Sequence, residues 1–315
     1  MLNKMGYESV IFEKQDELPN NHSAVLRFRS SIVSDVTGIP FREVKVLRTV
    51  QRWRNEVADS LAYAMKATGV AALRSSVYTE AGMVKRYIAP LDFIGQLRIT
   101  TDDPIYFNKQ WEGPAANSGS PVISTMPMPV LAAILQYEWG KKDWQFRSVP
   151  GYNLNFDIPG IDVYGTVYIA EPEVIWNRIS ITGSRVTAEY SMVDANIANP
   201  ILEAFANGEA DDAVMRRFLP YLNDALIPLG MSHLLSKLTK ENISVKRSQY
   251  QKIMPIPDAA RKRFMLWASE KHNVYSLGRF ATWRPGLLLD DLVNDVRQIE
   301  KMASGDHYHR RLKGV

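Results

Sequence analysis

The chain has 315 residues, with 46% hydrophobic and 23% charged side chains and a formal net charge of +4. These values are typical of a globular protein of one large or two modest domains. The absence of cysteine excludes disulfides, thiolate metal sites and a cysteine nucleophile. The sequence has neither a long apolar run nor a signal-peptide pattern, so we expect a cytoplasmic protein without a membrane span. The mild positive charge suits an anionic ligand such as a nucleotide, whereas the mixing of basic with acidic residues argues against nucleic acid.

The first predicted strand runs from Tyr7 to Glu13, and its centre, Val10 to Phe12, is apolar throughout, as buried parallel strands are. An acidic residue at the end of such a strand is where a Rossmann-type domain binds the ribose hydroxyls of a dinucleotide. Such a domain also needs an earlier strand and a G-x-G-x-x-G turn, yet the whole chain contains no G-x-G. Three explanations remain open: the chain begins inside a longer protein, another chain supplies the missing strand, or cofactor binding has been lost.

Two arginines follow on the next predicted strand, from Ala24 to Arg29. Arg27 and Arg29 are two residues apart and therefore share one face of that strand. Two neighbouring guanidinium groups suit a phosphate or a diphosphate, although solvated arginines at a sheet edge would show the same spacing.

Apolar residues recur along one face of a helix predicted from Gln51 to Thr68, with Gly69 as its stop signal. The members of this stripe are Trp53, Val57, Leu61, Ala64 and Met65. The spacing predicts that the stripe is part of the protein core.

The middle of the chain predicts a strand-to-helix turn and then a sheet. Residues 121–125 form an apolar strand that ends on Thr125, and a helix begins after the following prolines. Residues 162–170, 174–182 and 185–190 predict three short antiparallel strands that carry Tyr168 and Arg178. Residues 203–229 predict helix in two pieces, broken at Pro220.

The C-terminal region predicts a short strand from Val274 to Leu277, a turn at Gly278 that carries Arg279, and a helix after Pro285-Gly286. Asp290 and Asp291 fall in the first turn of this helix, where the helix dipole favours negative side chains. Glycine lets the backbone approach a bound group closely, and the free N–H groups of a helix start attract anionic oxygens. The segment therefore predicts a ligand-binding turn.

The sequence lacks the Gly-x-Ser-x-Gly, His-Glu-x-x-His and P-loop patterns, so a cofactor would have to carry any difficult chemistry. The Gly278-Arg279-Phe280 turn with its acidic helix start resembles the C-terminal flavin-binding segment of UDP-galactopyranose mutase and other amine-oxidase-like flavoproteins. The strand that ends on Glu13 is similar to the second strand of many FAD-binding proteins. The strand before Thr125 and the sheet around Arg178 also resemble parts of these families. The resemblance covers the two ends of the chain and the middle sheet.

The resemblance implies FAD as cofactor, and the residue patterns predict no metal. The residue patterns and the resemblance together predict that Glu13, Lys14, Arg27, Arg29, Thr125, Gly278, Arg279, Asp290 and Asp291 bind the cofactor. The Gly-Gly-Arg pattern that the related flavoproteins have near Arg27 and Arg29 is absent from this chain. The residues that the resemblance assigns to the substrate and the catalytic step are Arg178 and Tyr168.

The implied fold class is α/β: an incomplete Rossmann-like FAD-binding domain with an inserted antiparallel β-sheet substrate domain. Residues 1–50, 115–140 and 240–315 are predicted to form the FAD-binding domain, and residues 51–114 and 141–239 the substrate or cap domain.

Three functions follow from the resemblance and stay open at this point. The first is an oxidoreductase that transfers hydride at flavin N5. The second is a mutase-like isomerase of a nucleotide sugar, in which reduced N5 attacks the anomeric carbon. The third is a non-catalytic remnant, or a subunit that needs a partner chain to complete its cofactor site. The expected partners are a small-molecule substrate and either a partner chain or a second copy.

Overall fold

Residues 5–18, 25–72, 82–114, 120–140, 144–193 and 199–304 are described by a computed structural model. Contacts divide the chain into two compact units. The first unit comprises residues 1–43, 87–146 and 255–315, and the second comprises residues 44–86 and 147–254. The sequence from Leu2 to Gly6 predicts the last turn of a helix with a glycine cap, and most of this segment lies outside the described residues.

Within these ranges the fold is mixed α/β. In chain order the elements are β1 (Ile11–Phe12), β2 (Arg27–Phe28), α1 (Ile32–Thr37), β3 (Arg42–Gln51), α2 (Glu56–Thr68), β4 (Gly82–Ile88), α3 (Phe93–Ile99), β5 (Ile105–Tyr106), β6 (Val122–Ser124), α4 (Met128–Ile134), β7 (Ser148–Asp157), β8 (Val163–Ile169), β9 (Arg178–Gly183), β10 (Arg185–Ser191), α5 (Pro200–Ala206), α6 (Asp212–Leu226), β11 (Ile243–Ile253), α7 (Asp258–His272), β12 (Val274–Ser276) and α8 (Leu289–Ala303). Short 3-10 turns join α6 to β11.

The second unit is built on a mostly antiparallel sheet of strand order β11-β7-β10-β9-β8-β3-β4. The predicted meander is confirmed: β8, β9 and β10 pair antiparallel in sequence, and β3 joins β8 in parallel. The register places Tyr168 opposite Arg178 and Arg178 opposite Glu189. These three side chains therefore lie on one face of the sheet.

The apolar core of this unit packs on α5 and α6. Helix α6 runs unbroken through Pro220, so the break predicted there is wrong. Phe218 and Leu222 on either side of Pro220 are fully buried, and the Trp176 ring nitrogen donates a hydrogen bond to the carbonyl oxygen of Tyr221 at 2.8 Å. Burial of two large side chains contributes about 4 kcal/mol, which is enough to offset the hydrogen bond that proline cannot donate.

Helix α2 buries a different face from the predicted one. Trp53, Val57 and Met65 are 42%, 47% and 47% exposed, whereas Tyr63 and Ala67 pack against Val50 and Tyr168 of the sheet. The prediction that the apolar stripe is core is therefore wrong for these three residues. The contact between Tyr63 and Tyr168, together with hydrogen bonds made by buried polar side chains, determines which face of α2 is buried. Hydrophobic spacing alone predicts neither of these.

The first unit contains two small parallel pairs of strands, β1 with β5 and β12 with β6. The predicted parallel pairing of β1 is confirmed, but its predicted burial is wrong. Val10 and Phe12 are each 52% exposed, and β5 is the only strand that pairs with β1 among the described residues. Strands of parallel sheets are normally covered on both faces and edges, so β1 lies at an incomplete edge.

The C-terminal prediction is confirmed by β12 and α8. Val274 is fully buried, and α8 turns Val293, Val296 and Ile299 toward the interior. A further small core forms around Phe28 and the neighbouring residues of α3. None of the described helices combines the length and the apolar character that a bilayer crossing requires.

Candidate functional site

The turn at Gly278 lies at the carboxyl ends of two adjacent parallel strands. The Leu277 N–H donates to the carbonyl oxygen of Ser124 at 2.9 Å, which carries the pairing of β12 with β6 to the end of both strands. The Met128 N–H then donates to the Phe280 carbonyl at 3.0 Å and ties the two following loops together. The structure thus brings Thr125 and Gly278, which are far apart in sequence, to one edge of the sheet. This is where α/β proteins bind ligands.

The turn itself has room for a ligand. Gly278 adopts φ +94°, and no atom lies within 4 Å of the position that a Cβ would occupy there. Ser276 is 6% exposed, and its buried hydroxyl has no hydrogen-bond partner among the described residues. Thr282 closes the other side of the turn, because its hydroxyl donates to the Gly278 carbonyl at 2.7 Å. A buried hydroxyl without a partner normally costs free energy, so a ligand that supplied the missing bond would be stabilised.

Arg29, Asp290 and Asp291, which were predicted separately, meet at the start of α8. The Asp290 carboxylate accepts hydrogen bonds from the N–H groups of Arg29 and Ser30, both at 3.0 Å. The Arg29 guanidinium lies 3.3 Å from Asp291, which also accepts the Leu288 N–H at 2.9 Å. Both carboxylates therefore hold backbone in place, while Arg29 keeps 52% of its side chain exposed.

Glu13 has hydrogen-bond partners outside this cluster. The Glu13 N–H donates to the Tyr106 carbonyl at 3.0 Å, and its carboxylate accepts the Gln15 N–H at 2.8 Å. Arg27 pairs in register with Ile88 of β4. Among the described residues, no hydrogen bond or ion pair joins Glu13 or Lys14 to the Gly278 turn. Their predicted role in cofactor binding therefore stays a prediction.

Tyr168, Arg178 and Glu189 form a row of polar side chains across three neighbouring strands of the second unit. The Arg178 guanidinium donates through Nε, at 3.0 Å, and through Nη2 to the same carboxylate oxygen of Glu189. The Lys252 ammonium lies 3.1 Å from the other oxygen. Burial disfavours the ionised form of Glu189, but the charges of Arg178 and Lys252 outweigh it and hold its pKa at about 2. The charge of Glu189 in turn raises the pKa of Arg178.

This geometry leaves one side of Arg178 available to a ligand. Its side chain is 32% exposed, and no described residue accepts a hydrogen bond from Nη1. A guanidinium held rigidly by one carboxylate and presenting a further N–H edge can bind an anionic oxygen.

Tyr168 lies on β8, beside Arg178 of β9. It is held in place by Arg48 and Tyr63, which the sequence did not predict as site residues. The Arg48 guanidinium donates to the Tyr168 hydroxyl at 2.6 Å and lies 5.3 Å from its ring centroid. Tyr63 packs edge-on against the same ring at 5.6 Å. Tyr168 is only 7% exposed, so its hydroxyl serves mainly to fix its position in the row.

Lys66 is a second basic group with an unusual setting in this unit. Its ammonium donates to the carbonyl oxygens of Glu171 and Ile169 at 2.7 and 3.3 Å. Burial disfavours the charged form of Lys66 and lowers its pKa to about 7, although the negative charge of Glu171 acts in the opposite direction.

A pH dependence follows from this depressed pKa. Between about pH 7 and pH 10 the unfolded chain binds more protons at Lys66 than the folded chain, so stability should rise with pH in this window. From pH 7 to pH 9 we expect the wild type to gain about 1–2 kcal/mol more than Lys66→Met, measured by urea unfolding. Lys262→Met, at an exposed lysine on α7, is the control and should follow the wild type. Parallel pH curves for the wild type and Lys66→Met would contradict the assignment.

No group of three His, Asp or Glu side chains able to hold a metal ion occurs in the part of the chain that the structure describes.

No protein-family model and no curated protein sequence matches the chain. Solved structures do match it. Reduced UDP-galactopyranose mutase aligns with a TM-score of 0.61 at 12% identity, over 96% of this chain and 90% of that one. A fatty acid isomerase from P. acnes that produces CLA aligns with a TM-score of 0.51 at 9% identity, over 95% of this chain and 94% of that one. At these identities the likeness shows a shared fold and nothing beyond it.

An FAD-dependent oxidoreductase from Pseudomonas aeruginosa also aligns, at 11% identity over 100% of this chain and 86% of that one, with a TM-score of 0.39. This similarity is too low to support an argument.

Proposed function

We propose that the chain is a flavoprotein of the FAD-dependent oxidoreductase type. The observation that carries the proposal is the Gly278 turn at the carboxyl ends of two parallel strands. There, space is free beside Gly278, and the buried hydroxyl of Ser276 has no hydrogen-bond partner in the described part of the chain. The mutase-like fold supports it. A bound flavin would supply hydride transfer at its N5 position.

The chain's own residues would bind and orient this group. Backbone at Gly278 can approach a ligand closely because no Cβ stands in the way, and Ser276 can complete its hydrogen bonding. Asp290 fixes the N–H groups of Arg29 and Ser30, so that Arg29 presents its exposed guanidinium from a rigid support. Thr125 at the end of β6 and Arg279 beside the glycine would line the same edge.

Titration with FAD tests the proposal. We expect the purified chain to retain FAD through gel filtration, to quench or shift its fluorescence, and to bleach its absorbance when NADH or NADPH is added. Riboflavin, which lacks the adenosine diphosphate part, is the control ligand and should bind more weakly, because it offers no phosphate to Arg29. A folded chain that retains neither ligand would contradict the proposal.

A mutase-like activity on a nucleotide sugar is a second candidate, favoured by Arg178. The guanidinium edge that no described residue occupies suits a diphosphate, and the buried Tyr168 beside it helps to hold the row in place. The name of UDP-galactopyranose mutase gives this activity to that protein, and the proposal extends it to the present chain.

Substitution of Arg178 tests this candidate. Arg178→Ala should weaken binding of a UDP-sugar by about tenfold or more, since a charge-assisted hydrogen bond to phosphate is lost. The matched control is Arg185→Ala on β10, which removes an arginine with a similar exposed fraction, 34%. Isothermal titration with UDP-galactose measures both variants. Equal affinities for the two variants would count against a substrate site at Arg178.

A third candidate is a chain that requires an additional strand before it binds the cofactor. The exposure of the apolar residues Val10 and Phe12, and the pairing of β1 with β5 alone among the described strands, favour it. A polypeptide carrying an apolar strand and a G-x-G-x-x-G turn, expressed together with the chain, should then convert a colourless protein into one that retains FAD. Retention of FAD by the chain alone would exclude this candidate.

A further inference from the structure

A series of aromatic rings links the Gly278 turn to the surface of the first unit. The members of what we call the aromatic chain are Trp283, Phe146, Trp139 and Trp144. All four lie within the ranges that form this unit. The Phe146 ring centroid lies 4.9 Å from that of Trp283 and 5.0 Å from that of Trp139. Trp144 lies 5.3 Å from both Trp139 and Phe146. A single phenylalanine ring therefore separates the inner tryptophan from the two outer ones.

The inner end of the aromatic chain belongs to the candidate cofactor site. Trp283 is 2% exposed and follows Gly278 within the same turn, in which Thr282 donates its N–H to the Gly278 carbonyl at 2.9 Å. Trp283 adopts φ +47°, a left-handed conformation that is uncommon for a bulky residue. Backbone strain of this kind is concentrated at functional sites, where the surrounding structure holds it in place. The position of Trp283 is therefore fixed at the turn that would hold the cofactor.

The outer end of the aromatic chain reaches solvent, because Trp139 and Trp144 are both partly exposed. A second branch runs from Trp139 to Tyr137, at 4.8 Å, and on to Trp267, at a further 4.7 Å. The Lys271 ammonium lies 5.4 Å from the centroid of the Trp267 ring, and this positive charge opposes the loss of an electron there. The arrangement therefore favours the branch that ends at Trp139 and Trp144.

The residue types of the aromatic chain suit the transfer of single electrons. Together with its second branch, the chain contains four of the seven tryptophans of the protein. An indole ring can lose one electron and carry the positive charge for a short time. A phenol has to release its proton at the same moment, and a phenyl ring is much harder to oxidise. Phe146 is therefore a bridge, whereas the tryptophans on either side of it can hold the charge.

We propose that the aromatic chain conducts single electrons between the Gly278 turn and a reductant at the protein surface. This inference rests on the proposed function, because the acceptor at the turn would be FAD. The donor is a small thiol in solution. Two thiols supply two electrons and two protons to the FAD and are joined as one disulfide, so the reaction is balanced. In the experiments below, light provides the driving force.

Oxidation of the chain without FAD gives a test that does not depend on cofactor binding. A ruthenium tris-bipyridyl photosensitiser with persulfate is too large to reach a buried ring, so it removes electrons from exposed rings. Persulfate takes the electron, the indole releases its N–H proton to water, and dissolved oxygen adds to the ring. We expect the wild type to be oxidised at the buried Trp283, as mapped by mass spectrometry of tryptic peptides. Trp176 is the matched control and should stay intact, because it is fully buried and no ring contact to it occurs among the described residues.

Replacement of the outer indoles interrupts this route. The double variant Trp139→Phe with Trp144→Phe should lower the oxidation of Trp283 at least about tenfold, because the exposed indoles next to Phe146 are lost. Trp267→Phe, on the second branch, is the control and should leave the oxidation of Trp283 unchanged. Phenylalanine keeps most of the packing, so all variants should remain folded by circular dichroism.

Photoreduction of the chain with FAD bound supplies the second readout. Blue light with 2-mercaptoethanol should bleach the flavin absorbance of the wild type. Trp283→Phe and the double variant should each slow the bleaching at least about tenfold, whereas Trp267→Phe should follow the wild type. Fluorescence titration shows the affinity of each variant for FAD, and the double variant should keep that of the wild type. A chain that retains no FAD would contradict the proposed function, and the oxidation of Trp283 would still decide whether the chain conducts electrons.

Two results would overturn the inference. The first is oxidation of Trp283 that is no greater than that of Trp176 in the wild type, or that is the same in the wild type and the double variant. The second is bleaching of bound FAD at a rate that does not depend on Trp139 and Trp144.

Discussion

Replacement of Glu189 by glutamine is expected to destabilise the second unit by about 3 kcal/mol, because it leaves Arg178 and Lys252 without their shared counter-charge. The Glu189 side chain is 10% exposed, so water cannot replace the lost interaction. The matched control is Asp157→Asn on the adjacent strand β7. Asp157 pairs with Arg185 at 2.8 Å but is 48% exposed, and its loss should cost about 0–1 kcal/mol. Urea unfolding monitored by circular dichroism measures both variants at neutral pH.

The same carboxylate predicts an acid limit to stability. The pKa of Glu189 is lowered to about 2 in the folded chain, against an ordinary value of 4.5. The stability that it contributes is therefore complete above about pH 5 and is lost as the pH falls toward 2. Glu189→Gln should lack this component, so the difference between the variant and the wild type should shrink on acidification. The loss in free energy of unfolding caused by Glu189→Gln could instead be independent of pH, or no larger than the loss caused by Asp157→Asn. Either result would show that Glu189 is not the counter-charge of Arg178 and Lys252.

Replacement of Gly278 by valine is expected to lower the affinity for FAD by at least about a hundredfold, as a side chain would occupy the space that backbone leaves for the ligand. The substitution also strains the backbone, because φ is +94° at this position. Strain of this kind costs about 1–3 kcal/mol and could by itself reduce the folded population. A control with the same strain is therefore needed.

Gly160 provides that control. It adopts φ +83° in the turn between β7 and β8, and no atom lies within 4 Å of its missing Cβ, as at Gly278. Gly160→Val should lose a similar amount of stability while its affinity for FAD stays that of the wild type. Fluorescence titration with FAD and thermal unfolding of both variants separate the two effects. Equal affinities for Gly278→Val and Gly160→Val would place the cofactor elsewhere.

The sequence predicted Arg178 and Tyr168 as site residues, but it did not predict Arg48, which bonds to Tyr168, or Lys252, which pairs with Glu189. Arg48 follows Val46 by two residues on β3, so both lie on the buried face, whereas Leu47 between them is exposed. An arginine on the apolar face of a strand was a signal that could have identified it. Lys252 had no such signal, because the register of β11 against β7 shifts between Ser248 and Lys252. A bulge of this kind changes which side chains face the sheet, and only pairing with the neighbouring strand shows where it occurs.

Ser276 illustrates the same limit in the first unit. The sequence predicted its strand and the glycine turn after it, because Val274 to Leu277 is short and Gly278 follows directly. The free hydroxyl of Ser276 became visible only when β12 was placed beside β6, since hydrogen-bond satisfaction depends on both strands.

The sequence by itself determined the local units of this protein: the three-strand meander, the C-terminal strand, its glycine turn and the helix that follows. These units depend on alternation, helical spacing and turn residues, all of which act between close neighbours in the chain. Only the tertiary structure decided that Arg29 meets Asp290, that Glu189 neutralises Arg178 and Lys252, and that α2 exposes its apolar stripe. Burial and ion pairing join residues that are distant in sequence, so their outcome depends on which elements pack together, and local patterns do not encode that choice.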